Sequence, residues 1–490
     1  MSTNASTGLA RRTVRGSLYS LSASGITVTL GFARSILLAR LLAPEHFGTV
    51  ALALFFIGLV TRLRALGLDN AFLHQQHPDE SFLRTYFTGR VALDVVAFGL
   101  LLAGTPLLGR AYPHVPDLPR VLPALIGFTF LSNLSIVQEM FLRKNLAFGR
   151  LAVIDVVASL TMTIIAPYLA WRGWGVWALV AEQGSGLSAR FLLSWGLFRS
   201  WSPRLGWDRA WAKWLWNYGR SVWVAANLSY LLDTFDDFWV GTVLGKTPLG
   251  YYNRSYEFAR YTRRVFASPL VSVFGPVFAR LQDDRRRLSQ AYYRTAHLIL
   301  RTSFLIAGTA ALVMPEFIHY VIGDKWQPML WTFRLMLVYA VLDPLFMLTS
   351  SLFFVTGRPQ VPRRAAVVRT LFFIPAVVAA AATWGILGVA LAADLMLVIG
   401  FWAMYRPLKA TVDFSTSRLV VWPLLAFAVA FGVGLGVEQA SAVTSWTLAA
   451  LKSALFMGLF TLLLLARERD DYAKGWTFLW HLWRGQQDQP

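Results

Sequence analysis

The sequence predicts an all-α membrane protein of about fourteen transmembrane helices, arranged as two pseudo-symmetric six-helix lobes followed by two C-terminal helices. Three observations carry this. The 490 residues are 56% hydrophobic, and the mean hydropathy is +0.50. Apolar runs of about 20 residues, enough for a helix to cross a bilayer, recur along the whole length with no domain-sized polar stretch between them. Pieces of the first half also reappear in the second at a nearly constant offset.

The runs follow one another from a polar start, Met1 to Gly16, which carries Arg11, Arg12 and Arg15. The first run is too long for a removed signal and lacks a cleavage pattern, so it reads as the first anchor. The first six spans are predicted over 17–42, 47–66, 85–108, 118–142, 151–170 and 173–198. The next six cover 218–244, 250–278, 295–313, 329–355, 365–383 and 385–405. The last two cover 419–437 and 443–466. An even number puts both termini on one side. Basic clusters occupy alternate loops: Arg143, Lys144 and Arg150; Arg199, Arg204, Arg209 and Lys213; Arg280 and Arg285 to Arg287; Arg358, Arg363 and Arg364. The intervening loops are short and nearly uncharged, so the clusters and both termini are expected in the cytoplasm. The formal net charge of +20 then mainly sets topology, where in a soluble protein it would point to nucleic acid. Cysteine is absent, which excludes disulfides, thiol catalysis and thiolate metal sites.

Two Trp-rich polar segments flank the spans, 201–216 and 472–483. Trp207, Trp211 and Trp214 fall at helical spacing beside Arg209 and Lys213, the pattern of a helix lying in the membrane interface. The expected division is therefore an N-lobe over 1–200, an interfacial linker helix over 201–216, a C-lobe over 217–410, two added spans over 411–466 and a cytoplasmic aromatic and basic tail over 467–490.

The repeat supports the two lobes. RLLAPEHFG from Arg40 and TVLGKTPLG from Thr242 each end a span with Leu, cross quickly and restart on Gly. WGVWALVAE from Trp174 parallels WGILGVALA from Trp384. A shift by six spans preserves sidedness, so the halves should be related by an axis along the membrane normal. The alignment sets Arg62 opposite Arg264 and Arg34 opposite Asp236.

Charge at membrane depth is expensive, about 2.5 to 3.5 kcal/mol per Asp or Arg at mid-helix, so it is kept where it faces a polar interior. Arg34 and Arg40 lie in span one, Arg62 and Arg64 in two, Arg190 in six, Arg254, Arg260, Arg263 and Arg264 in eight, Arg301 in nine and Arg334 in ten. Arg40, Arg62, Arg64 and Arg254 are near enough to span ends to snorkel. The hairpin over 231–269 sets Asp233, Asp236 and Asp237 against the arginines of span eight, as one wall of a cation-rich cavity. Guanidinium groups take phosphate oxygens two at a time and stay charged in a poorly hydrated site, so a pyrophosphate or acidic sugar complements them. The alternative is ion pairing between these arginines and the aspartates. Asp233 shares a helical face with Asp236 and Asp237, which suits either ion coupling or such pairing, and Asp343 and Asp394 are lone carboxylates with a similar claim.

Enzyme signals fail on inspection. GTVLGKT, from Gly241, is one residue short of a phosphate-binding loop and sits at a helix end. Asp283 and Asp284 lie in a basic loop, where a solvated turn is expected. His74 and His77 have no clear third ligand. No cofactor and no metal are expected.

The stretches ARLLAPEHFG (from Ala39), GWGVWALV (from Gly173), LGYYNRSYEF (from Leu249), SPLVSVFGPVFARLQDD (from Ser268), IGDKWQP (from Ile322) and TGRP (from Thr356), with Asp236, Gly241 and Gly245, together resemble the polysaccharide transporter family. These are the Wzx-type flippases of the multidrug/oligosaccharidyl-lipid/polysaccharide exporter superfamily. The resemblance spans the first twelve helices. It implies two six-helix lobes around a cavity, alternating access, and transport of an undecaprenyl-pyrophosphate-linked oligosaccharide across the bacterial inner membrane, alongside a polysaccharide polymerase and export machinery. It also implies that arginines of spans one, two and eight hold substrate, here Arg34, Arg62, Arg64, Arg260, Arg263 and Arg264. Arg301 and Arg334, by their place within spans nine and ten, are further expected cavity cations. A cation-coupled drug exporter on the same fold, or a membrane polymerase or glycosyltransferase, is the alternative.

Overall fold

The computed structural model describes residues 2–262, 268–441 and 444–483, which are helical almost throughout and contain no strand. The first helices are α1 (Ser2–Leu41), α2 (Pro44–Ala65), the short α3 (Leu68–His74), α4 (Glu80–Ala111), α5 (Leu118–Lys144), α6 (Phe148–Trp171) and α7 (Val176–Leu192). There follow α8 (Arg209–Val243), α9 (Lys246–Thr262), α10 (Ser268–Leu281), α11 (Arg285–Phe317) and α12 (Leu330–Val355). The last are α13 (Gln360–Thr411), α14 (Trp422–Ala440) and α15 (Trp446–Trp483).

Ten of the described helices are long and apolar enough to cross a membrane. One of them, α13, holds two of the expected spans, because the chain turns at Gly385 with φ of 58°, a conformation that glycine adopts without a Cβ clash. The expected spans over 173–198 and 218–244, and the described parts of 250–278, are largely helical but fall outside those ten. Helix α7 has only 17 residues, and α8 carries Asp233, Asp236 and Asp237.

The contacts divide the chain into two compact units, Met1–Ser255 with Phe373–Ala392, and Tyr256–Phe372 with Ala393–Pro490. The division by contacts falls between Ser255 and Tyr256 of α9. In the first unit α1 packs on α6, α6 and α5 on α7, and α2 on α8. One close approach within it joins repeat mates. A Cβ at Gly48 would run into the carbonyl of Lys246, and one at Gly250 into the carbonyl of Pro44. In the sequence repeat Pro44 corresponds to Lys246 and Gly48 to Gly250. A contact in which i meets j′ while j meets i′ is the signature of a two-fold relation.

The Trp-rich linker differs from its expectation. Residues 201–208 are not helical, and α8 starts at Arg209 and runs without a break to Val243. The Asp208 carboxylate caps it, accepting from the amides of Ala210 at 2.8 Å and Trp211 at 3.3 Å. Trp211 and Trp214 pack edge-on against Phe82 with centroids 5.1 and 6.0 Å apart, in a cluster with Phe72, Tyr86 and Leu215. The apolar face that suited a membrane surface thus covers α3, α4 and α5; Trp207 remains exposed. The two amide donors hold the Asp208 carboxyl below the usual carboxylate range. Its capping contribution is therefore present above the unfolded pKa and is lost as pH falls through the lower folded value. Asp208→Ala should lower the melting temperature of the purified protein at neutral pH, with the difference from the parent closing in acid.

In the second unit α11 is the central pillar, packed by α10, α12, α14 and α15.

Candidate functional site: arginines within the spans

In the first unit Arg34 on α1 lies against α6 and α7. Its Nε donates to Glu182 Oε1 at 2.7 Å, and its Nη1 to Thr163 Oγ1 at 3.2 Å and the Ser159 carbonyl at 3.5 Å. Arg64 on α2 pairs with Asp94 on α4 at 2.6 Å, both side chains nearly inaccessible. Arg90, also on α4, pairs with Asp69, which accepts from the Tyr86 hydroxyl at 2.8 Å. Arg190 bridges Glu139, at 2.8 Å, and Asp155. Arg62 is exposed and has no carboxylate partner among the described residues; its guanidinium lies 5.9 Å from the Tyr230 ring.

The aspartate hairpin is only partly assembled as expected. Asp236 accepts from the Tyr252 hydroxyl at 2.6 Å, so a neighbouring tyrosine meets it from α9. Asp233 is exposed and Asp237 half-buried. Arg254 donates to Ser35 Oγ at 3.0 Å and lies 4.3 Å over the Phe47 ring. Arg263 and Arg264 lie outside the described residues.

In the second unit Arg260 is half-buried over the Tyr256 ring, 5.3 Å from its centroid. Tyr256 meets Tyr339 of α12 edge-on at 5.8 Å. The Arg260 Nε is buried without a hydrogen-bond partner, and no carboxylate pairs with this side chain among the described residues. Arg301 and Arg334 are placed otherwise than expected. Arg301 grips Glu468 at 2.5 Å and also donates to the carbonyls of Arg418 at 2.6 Å and Leu419 at 2.8 Å. Arg334 meets Glu438 at 2.8 Å, and Glu438 is shared with Lys452 at 3.1 Å. Lys452, wholly inaccessible, also pairs with Glu316 at 2.8 Å. With their donors engaged in this way, these two arginines fasten α14 and α15 to α11 and α12. Asp343 is buried on α12, and Asp394 on α13 has an Oδ1 without a partner.

Sequence reasoning passed over Arg90 and Arg369, both within apolar runs, and the carboxylates that pair with Arg34, Arg64, Arg90, Arg190, Arg301 and Arg334. Arg369 lies 4.5 Å over the Phe346 ring and has no carboxylate partner among the described residues. Arg90 and Asp94, one helical turn apart inside an apolar run, were the visible signal.

Residues 37–330, more than half of the chain, match the family model described as "Polysaccharide biosynthesis protein". The chain belongs to that family. Among similar members of the polysaccharide biosynthesis proteins is the lipopolysaccharide biosynthesis protein WzxC of Escherichia coli K12, 24% identical over 445 residues, covering 87% of this chain and 89% of WzxC. The succinoglycan biosynthesis transport protein ExoT of Rhizobium meliloti strain 1021 is 29% identical over 323 residues, 62% of this chain and 61% of ExoT. Among solved structures, the lipid II flippase MurJ in an inward closed conformation superposes with a TM-score of 0.73 at 13% identity, covering 93% of this chain and 99% of MurJ. An inward-facing multidrug resistance transporter of the MATE family, in the MOP superfamily, follows at 0.62 and 16% identity, covering 81% and 99%. This polysaccharide biosynthesis protein is thus a multi-pass membrane protein with the MOP transporter fold.

Proposed function

We propose that the chain is a flippase that carries undecaprenyl-pyrophosphate-linked oligosaccharide repeat units across the bacterial inner membrane by alternating access, with both termini in the cytoplasm. The observation that carries this reading is that arginines within membrane-spanning helices, Arg62, Arg260, Arg369 and one edge of Arg34 among them, have donors not used up by carboxylates among the described residues. Most of the other arginines within the spans are neutralised. A guanidinium without an acidic partner is the complement of a phosphate, which it binds through two parallel hydrogen bonds. The names of the relatives WzxC and ExoT support a saccharide cargo, and that of MurJ supports a lipid carrier. Arg263 and Arg264 belong to the same proposed set, while Asp233, Asp236, Asp237 and Asp343 are proposed for ion coupling or arginine pairing. A polysaccharide polymerase and membrane lipids are the proposed partners.

The test is reconstitution in proteoliposomes with a labelled lipid-linked oligosaccharide and an impermeant reagent that reads the outer leaflet. Protein-dependent loss of the protected fraction is expected. Arg260→Ala should slow it at least tenfold with unchanged protein yield. Export of small cationic dyes without lipid translocation would overturn the reading in favour of a drug exporter.

A further inference from the structure

The loop that follows α13 is fastened to the start of α11 by bonds that leave some donors over. Asp413 receives both Nε, at 3.1 Å, and Nη2, at 2.8 Å, from Arg285. Its amide donates to Ser289 Oγ at 2.9 Å, and that hydroxyl donates to the Arg285 carbonyl at 2.6 Å. The chain is held on either side of Asp413 as well. The Thr411 hydroxyl accepts from Arg358 Nη1 at 3.2 Å, the Phe414 carbonyl accepts from Lys409, and the Thr416 hydroxyl meets that of Tyr405 at 2.7 Å. Between this fixed loop and α11 lies an open cavity of about 470 Å³, lined by Arg285, Arg286, Ser289, Gln290, Tyr293 and Asp413, a size usual for small-ligand sites. Its charges do not balance. Asp413 is matched in full by the side-on pair with Arg285. Arg286 and Gln290, both exposed and one turn apart on α11, have no hydrogen-bond or ion-pair partner among the described residues. Arg287 beside them differs, since it pairs with Asp284 at 3.4 Å and does not line the cavity.

We propose that this cavity binds the phosphate of an anionic phospholipid headgroup, with Arg286 and Gln290 as its donors and the Arg285–Asp413 pair as a rigid wall. The level of the cavity selects a lipid. Arg286, Gln290 and Tyr293 follow at i, i+4 and i+7 on one face of α11, and the expected span over 295–313 starts two residues after Tyr293. At 1.5 Å per residue Arg286 stands only about 10 Å above Tyr293, so its long side chain reaches the headgroup layer. Tyrosine is the residue usual at that boundary. The two elements that wall the cavity then enter apolar runs with exposed Leu298 and Val421, so acyl chains are at hand. A phosphodiester carries one negative charge, which matches the one positive charge left over, and its free oxygens accept from both side chains. Phosphatidylcholine has the same phosphate but adds a cation that Arg286 repels. Basic pockets on the cytoplasmic side, where the basic clusters put this end of α11, recur as headgroup sites. The membrane lipids proposed above thereby gain a particular place on the chain, whatever cargo crosses. A soluble phosphate ester shares the chemistry of recognition and lacks the chains.

The purified full-length protein in a neutral detergent is titrated with phosphatidylglycerol, phosphatidylcholine and glycerol phosphate, and the bound molecules are counted by native mass spectrometry. The parent should hold phosphatidylglycerol about tenfold more tightly than either of the others. Arg286→Ala should weaken phosphatidylglycerol about tenfold, and Gln290→Glu, which sets a carboxylate one turn from Arg286, should do at least as much. Both positions are exposed, so melting in lipid-free detergent should stay parental. Arg287→Ala removes the same charge outside the cavity and should weaken the lipid by less than about twofold. Equal losses in Arg286→Ala and Arg287→Ala would overturn the site, because bulk charge would then account for the lipid. Glycerol phosphate bound as tightly as phosphatidylglycerol, with the same dependence on Arg286, would make the ligand a soluble phosphate ester and overturn the lipid assignment. Should Arg286→Ala not fold, parental phosphatidylglycerol affinity in Gln290→Glu would overturn the site as well.

Discussion

Lys452→Met is expected to remove about 3 to 5 kcal/mol of folding stability, the range for a buried ion pair stripped of one partner. Lys452 is wholly inaccessible and touches Glu316 at 2.8 Å and Glu438 at 3.1 Å. Glu438 retains Arg334 after the substitution. Glu316, 1% exposed, is left as a carboxylate with no cation among the described residues. The penalty is thus mostly the stranded charge and little the loss of attraction, and that can be separated. Lys452→Met combined with Glu316→Gln should be more stable than Lys452→Met alone, since the second change removes the charge that the first exposes. Unfolding of the detergent-purified protein, followed by helical circular dichroism in a denaturant series, measures all three variants. A double variant as unstable as the sum of the singles would show that Lys452 stabilises by packing and not by pairing.

This cluster also shows what could be read in advance and what could not. The apolar runs located the ten described helices that are long and apolar enough to span, one of which, α13, turns at Gly385, because length and hydropathy are local properties of the chain. The repeat located Gly48 and Gly250 as counterparts because each half ends a span on Leu and restarts the next on Gly after the same short crossing. Pairing is not local. Arg34 finds Glu182 across 148 residues, Arg334 finds Glu438 across 104 and Arg301 finds Glu468 across 167. A charge within a span announces that burial must be compensated, yet the same arginine fits a carboxylate on a distant helix or a phosphate that arrives. Arg301 and Arg334 resolve in the first direction; Arg62 and Arg260 meet no carboxylate among the described residues and are proposed for the second. Residues 201–216 failed for a related reason. An amphipathic stripe of Trp is satisfied equally by lipid headgroups and by a protein core, and only the position of Phe82 and Leu215 decides between them.

Gly48→Ala and Gly250→Ala should each destabilise the protein by about 1 to 3 kcal/mol, the usual range for overpacking a close contact, and together by less than the sum. Each added methyl would meet a backbone carbonyl, of Lys246 and of Pro44 respectively, and a carbonyl fixed in a helix start cannot swing aside as a side chain can. The helices must move apart instead. Because the two contacts are reciprocal parts of one approach, the movement forced by the first methyl makes room for the second, and the pair is coupled. Gly432 in α14 is the control, with no atom within 4 Å of its added Cβ; there Ala should be neutral or stabilising by up to about 1 kcal/mol through helix propensity. Melting temperatures of the four variants in one detergent decide the matter. Strict additivity at Gly48 and Gly250 would mean that the two approaches yield independently, and the two-fold contact between repeat mates would then have no energetic meaning.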